Sequence, residues 1–190
     1  MLPTERTAFP ALESERLILR RFVDFDLIPF LAYLNDPLVA RYQTWESYTP
    51  QQARDEIEQQ RKLAPDVTGQ WFTIAIELKE TGALIGHLAI KTQEDKQQAE
   101  IGFTLAREYQ GKGLAFEAVS RLLDYVFIDL EMHRVTAIAD CENHPSVSLL
   151  DKLGMRREGH FIQNIWFKGK WGDEFLYAIL RGEWLRRGAI

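Results

Sequence analysis

Cysteine, contiguous charge and long apolar runs are all scarce in this chain, and each shortage excludes something. The single cysteine, Cys141, rules out an internal disulfide and fits a reducing compartment. No apolar stretch approaches the roughly 18 residues of a membrane span, and no charged-then-apolar leader opens the sequence. Neither a membrane association nor a signal peptide is therefore expected, and a cytoplasmic location is. No basic run is longer than Arg20-Arg21 or Arg186-Arg187, and the formal net charge is −5, so a nucleic-acid partner is not expected. The histidines, His87, His133, His144 and His160, lie far apart without metal-ligand spacing, and no metal is expected. No repeat, low-complexity segment or linker divides the 190 residues. One domain over 1–190 is expected, with a core at about 12–180, a short tail at 181–190 and enough apolar content (46%) to bury it.

What is present is a strong alternation of strand and helix signals. Leu12–Phe22 reads as a strand. Asp24 can cap a helix to about Leu34, with Pro29 tolerated in its first turn. Thr49-Pro50-Gln51-Gln52 spells a capping box with proline at the first helical position, and a polar, largely exposed helix should run to about Leu63. Trp71–Glu77 and Leu84–Ile90 form an expected hairpin across Glu80-Thr81-Gly82, followed by a strand at Ala99–Leu105. Apolar residues from Ala115 to Leu130 recur at helical spacing, which predicts a long helix packed along its length. A strand at Arg134–Cys141, a helix at Ser146–Leu153 and strands at Phe161–Phe167 and Glu174–Leu180 complete the chain, with Gly169 in the last turn.

The densest chemical signal is Gln110-Gly111-Lys112-Gly113-Leu114-Ala115, between a strand and the long helix. Gly111, Gly113 and Ala115 lack bulk, so backbone N–H groups at a helix start can approach a phosphate or pyrophosphate. Taken alone, Gly-x-Gly also describes an ordinary strand-turn-helix connection. Two nucleotide signatures fail by spelling. A P-loop needs lysine and then a hydroxyl residue after its last glycine, where Leu114 stands, and a dinucleotide fingerprint needs a small residue where Phe116 stands.

This loop resembles the pyrophosphate loop of the GNAT superfamily of acyl-CoA-dependent N-acyltransferases. ERLILRRF, Ile101-Gly102-Phe103, ENHPSVSLLDKLGM and WFKGKWGDEFLYAIL extend the resemblance over about residues 12–180, and look like the branch of RimJ/RimL-type ribosomal-protein N-terminal acetyltransferases. Phe116 departs from the usual Thr or Ser. The resemblance implies an α/β fold with a mixed central sheet of about seven strands flanked by about four helices. It also implies acetyl-CoA as co-substrate and direct transfer of the acetyl group to a primary amine, with a protein N-terminus as one acceptor. Polyamine- or aminoglycoside-type acceptors, or a CoA-binding sensor without transferase activity, are the alternatives.

An amine is mostly protonated at neutral pH and must lose a proton to attack a thioester. Glu100 shares one strand face with Gly102 and Thr104 and is the candidate acceptor of that proton, directly or through water; on the residues alone it is also a solvated carboxylate at a strand end. By resemblance, the strand splays and leaves backbone groups of Phe103, Thr104 and Leu105 to the pantetheine arm, while Gln110, Gly111, Lys112, Gly113, Leu114 and Ala115 hold the pyrophosphate. Asn143 would bind pantetheine, and Ser146, three residues on, would protonate the leaving thiolate; both also suit a helix start. Cys141, closing an apolar strand, is expected to be an inert thiol. Tyr42, Trp45 and Trp166, in the connections nearest the expected acceptor site, either line a pocket or pin loops to the core. Trp184 and Leu185 are expected on the surface beside a sheet-edge strand at Glu174–Leu180, covered by the tail itself or by a second copy, as a homodimer.

Overall fold

A computed structural model describes residues 9–188; residues 1–8 and 189–190, which include the end of the expected tail, lie outside the described residues. The expected first strand is broken by a turn at Ser14 into β1 (Leu12–Glu13) and β2 (Leu17–Arg20). The expected first helix starts later than its Asp24 signal. Asp24–Asp26 is a 3₁₀ turn, held by the buried Asp26 carboxylate, which accepts from the Val23 N–H at 2.8 Å and from Arg20 at 2.7 Å. Helix α1 then occupies Leu27–Leu34. A further short helix, α2 (Pro37–Ala40), is capped by Asp36, whose carboxylate accepts from the Leu38 N–H. The capping box of α3 (Pro50–Lys62) forms as spelled, with Thr49 and Gln52 bonded reciprocally. Its polar character is not uniformly solvated: Gln60 is buried and bonds both the Trp71 carbonyl and the Thr73 N–H.

The hairpin forms as β3 (Trp71–Leu78) and β4 (Ala83–Thr92), followed by β5 (Gln98–Leu105). The long helix, α4 (Leu114–Asp124), closes with a single π-helical turn at Tyr125–Asp129. Then come β6 (Arg134–Asp140), α5 (His144–Lys152), β7 (Arg156–Phe167), β8 (Lys170–Leu180) and α6 (Arg181–Arg186). The strands form one mixed sheet of eight, ordered β1-β2-β3-β4-β5-β6-β8-β7. Strand β8 is therefore internal and β7 is the edge. Trp184 is not exposed: it is 4% accessible, packs into the main core and donates its indole N–H to Asp124 at 2.9 Å. Burying a large apolar side chain contributes about 1.5–3 kcal/mol, which explains why the tail folds back on α4.

Two apolar clusters lie on opposite faces of the sheet. The larger joins α4 and α5 to one face; the smaller joins α1 and α3 to the other, over β3 and β4. No helix among the described residues is long and apolar enough to cross a membrane.

The feature that positions the site is a split in the sheet. Strands β5 and β6 are parallel but pair only over Gln98↔Arg134, Ala99↔Val135 and Glu100↔Thr136. Beyond Glu100, β5 stays zipped to β4 as far as Leu105, and β6 stays zipped to β8 as far as Asp140. The carboxyl ends of the two parallel strands therefore diverge, and ligands favour such crevices.

Candidate active site

Two cavities of about 400 and 420 Å³ occupy the split and meet at Tyr42, Gln43, Phe103, Thr104, Asn143 and Ser146. The second runs from this junction along Phe103–Leu105 to the loop at Gln110–Ala115. Gly111 and Gly113 have φ of 72° and 78°, left-handed values that glycine adopts without a Cβ penalty. Gly113 is the cap of α4, and the first helical bond comes from the Glu117 N–H to its carbonyl, so the N–H groups of Gly111–Phe116 have no acceptor among the described residues. The loop is braced from both sides. The Gln110 side chain donates to the Leu105 carbonyl at 2.9 Å, and Arg16 donates to the Lys112 carbonyl at 3.1 Å. Glu117 ties Arg16 down by accepting from its backbone N–H and its guanidinium, and from Ser14. Burial alone would raise the Glu117 carboxyl, but these bonds outweigh it and hold it below its ordinary value. Leu114, expected at the ligand, sends its side chain into the core, and neither it nor Lys112 lines the cavity.

Across the split, Asn143 caps α5 by accepting from the Ser146 N–H at 3.3 Å. Both line both cavities, and the Ser146 hydroxyl has no hydrogen-bond partner among the described residues. A helix-start role and a cavity-lining position coincide here.

The first cavity lies on the α1 side of the sheet. Glu100 lines it at the apex of the split, in an ion pair with Lys91 at 2.7 Å, and the Lys91 ammonium also sits 4.6 Å from the Trp71 ring. The face expected from alternation is observed: Glu100, Gly102 and Thr104 stand opposite Lys91, Ala89 and His87. Tyr42 lines both cavities and its hydroxyl donates to the Glu142 carbonyl across the split. Trp45 lines the first cavity and is pinned by its indole N–H to the Leu34 carbonyl, so lining and pinning are one arrangement. Trp166 lies outside both cavities, packed on Trp171, because alternation along β7 turns Ile165 and Phe167 to the cavity instead. Cys141 lines neither cavity; burial and the nearby Asp173 and Asp140 carboxylates push its thiol up, which disfavours the thiolate.

His87, Trp71, Ile138 and Glu174 also line this cavity, with no local motif in the sequence that marks them as site residues. The available signal was polarity inside apolar strands, as in Leu84-Ile85-Gly86-His87-Leu88.

The arrangement resembles known enzymes. The acetyltransferase (GNAT) domain family matches residues 16–156. The uncharacterized N-acetyltransferase p20 of Bacillus licheniformis is 35% identical over 175 residues, spanning 91% of this chain and 97% of that protein. The ribosomal protein uS5-alanine N-acetyltransferase of Escherichia coli (strain K12) is 32% identical over 84 residues, 44% of this chain and 43% of that protein. The crystal structure of a GNAT-family acetyltransferase from Bacillus anthracis superposes with a TM-score of 0.84 at 30% identity, covering 92% of this chain and 100% of that one. Spermidine N-acetyltransferase from Vibrio cholerae, solved with CoA and spermine, shares the fold with a TM-score of 0.78 at 24% identity, covering 90% of this chain and 99% of that one.

Proposed function

The chain belongs to the GNAT acetyltransferase family and is an acetyl-CoA-dependent N-acetyltransferase, and from that premise we propose direct acetyl transfer in a ternary complex to the primary amine of a peptide or protein N-terminus. The observation that carries direct transfer is the meeting of two cavities at Thr104, Asn143 and Ser146. The second cavity takes the cofactor, with the pyrophosphate on the N–H groups of Gly111–Ala115 and pantetheine along Phe103–Leu105, and an N–H of that free strand edge polarises the thioester carbonyl. The first cavity takes the amine. Glu100, paired with Lys91 at 2.7 Å, receives its proton through a chain of waters. The Ser146 hydroxyl donates to the departing thiolate.

Support for a peptide acceptor comes from the shape beyond the junction. The first cavity opens towards the sheet half formed by β6, β8 and β7, where Ile138, Phe161 and Ile162 are exposed and could carry residues following the reactive amine. The resemblance to a uS5-alanine acetyltransferase over 84 residues favours the same class. A homodimer is part of this reading, with β7 as the free edge available to a second copy. One observation favours a polyamine instead: Asp140 and Glu174, directly opposite on β6 and β8, both line the cavity, and facing like charges suit a cation.

Thiol release from acetyl-CoA, measured over N-terminal peptides, polyamines and aminoglycosides, decides. Turnover highest with peptides is expected. Tight CoA binding without turnover on any amine would make the protein a CoA sensor.

A further inference from the structure

The acceptor cavity contains a polar pair that the transfer chemistry leaves unused. His87 is 9% exposed, and its Nδ1 lies 2.8 Å from the Tyr33 hydroxyl. Tyr33 is itself buried, and its hydroxyl has no other partner among the described residues. A buried hydroxyl that donates to nothing is costly, so the Tyr33 O–H points at Nδ1 and the ring proton resides on Nε2. Burial pushes His87 down to about 4, so the imidazole is neutral at pH 7 and carries that single N–H. Burial also pushes the Tyr33 phenol up, which keeps its proton in place.

Nε2 has no partner among the described residues, and the ring lines the acceptor cavity. Thr104, the cross-strand partner of His87 on the same face, is 6% exposed, its hydroxyl also unpartnered, and it lines the junction of the two cavities. The spacing of the pair is rigid: a Cβ added at Gly86 would stand 2.2 Å from the Thr104 carbonyl oxygen. Glu100, by contrast, is four residues further along β5, about 13 Å away.

We propose that the Nε2–H of His87 and the hydroxyl of Thr104 recognise an oxygen of the acceptor, the carbonyl of the residue that bears the reactive amine, which makes His87 a specificity-determining residue. The inference rests on reading this cavity as the acceptor site. A protonated polyamine presents N–H donors along its chain, and donor against donor leaves both unpaired; an amide carbonyl two bonds from an α-amine accepts from both groups.

Binding to the CoA-loaded protein tests this with two acceptors of equal charge and shape: an alanyl dipeptide amide and its trans-alkene isostere, which lacks the first carbonyl. Calorimetry should show the amide bound about five- to tenfold tighter, the loss typical of one or two neutral hydrogen bonds. His87→Phe should bring the ratio to near one and His87→Gln, which keeps an N–H, should restore part of it. Should His87→Phe fail to fold, Tyr33→Phe serves, since it releases the tautomer and should reduce the ratio about threefold. Equal affinities in the unaltered protein, or an unchanged ratio in either folded aromatic variant, overturn the proposal. Thiol release run in parallel separates the two readings. A carbonyl preference without transfer defeats the enzymatic role alone, and transfer to spermidine without a carbonyl preference defeats the oxygen recognition alone.

Discussion

The two cavities that share the split are built by different means. The cofactor side depends on backbone: six neighbouring residues, Gln110–Ala115, turn through two left-handed glycines onto the start of α4, and flanking side chains such as Gln110 and Arg16 brace them. The acceptor side depends on side chains drawn from distant parts of the chain, with Trp45, His87, Glu100, Asn143 and Phe167 arriving on separate segments. A backbone site tolerates side-chain exchange but not a change of conformation. A side-chain site tolerates neither loss nor exchange, yet its members can be altered without moving the loop. The first kind suits a phosphate group that backbone N–H donors can hold, and the second leaves room for acceptors to differ.

Substitutions that touch one side and spare the other put this contrast to the test. The largest effect is expected on turnover: Glu100→Gln and Ser146→Ala should each lower kcat by about 10²–10⁴-fold while CoA affinity stays within about threefold. Cys141→Ala, outside both cavities, should leave kcat within about twofold, and an acetyl group trapped on Cys141 during turnover would overturn direct transfer. Next comes Gly113→Val. The left-handed φ of 78° disfavours any side chain, and losing two charge-assisted bonds to the pyrophosphate predicts CoA binding weaker by about 10²–10³-fold in a folded protein. Unchanged CoA affinity in calorimetry would remove the loop from the cofactor site.

The smallest effect concerns stability and belongs to the acceptor side. The unfolded chain protonates His87 near the ordinary 6.5, while the folded protein resists until about 4. Between those values the unfolded state binds more protons, so stability falls as pH falls and is retained above the window. A loss of roughly 3 kcal/mol across it follows from that gap. Urea unfolding at pH 7, 5.5 and 4 measures it, and His87→Gln should flatten the curve; an unaltered slope in that variant would show that the imidazole is not the group responsible.

Local signals carried most of the fold. The Thr49 capping box, the helical periodicity after Ala115 and the alternation in β3 to β5 each depend on residues close in sequence, and each appears where the spelling puts it. The Ser14 turn is not legible because Leu12 and Leu17–Leu19 continue one strand-like pattern across it. Nor is helix α2, because four residues hold too little periodicity. Trp184 is buried against expectation because the core it joins is assembled mostly from distant earlier segments, and the Asp124 carboxylate that receives its indole N–H lies sixty positions earlier. The candidate site divides the same way. Its glycine loop is contiguous and legible, and strand alternation gives the face on which Glu100 borders the first cavity. The Lys91 partner and the His87–Tyr33 pair emerge only when β4, β5 and α1 are brought together, and no single stretch of sequence holds that information.

The three-pair seam between β5 and β6 also divides the molecule in chain order. Everything before it, including the glycine loop and Glu100, precedes Leu130; everything after it, including Asn143 and Ser146, follows Arg134. A cut in the short connector would therefore yield two fragments, each with an incomplete half of the junction and each with apolar residues of the shared core laid bare. Such a chain is a natural split reporter: thiol release would register the reunion of two polypeptides, since neither fragment alone brings the loop and the serine together.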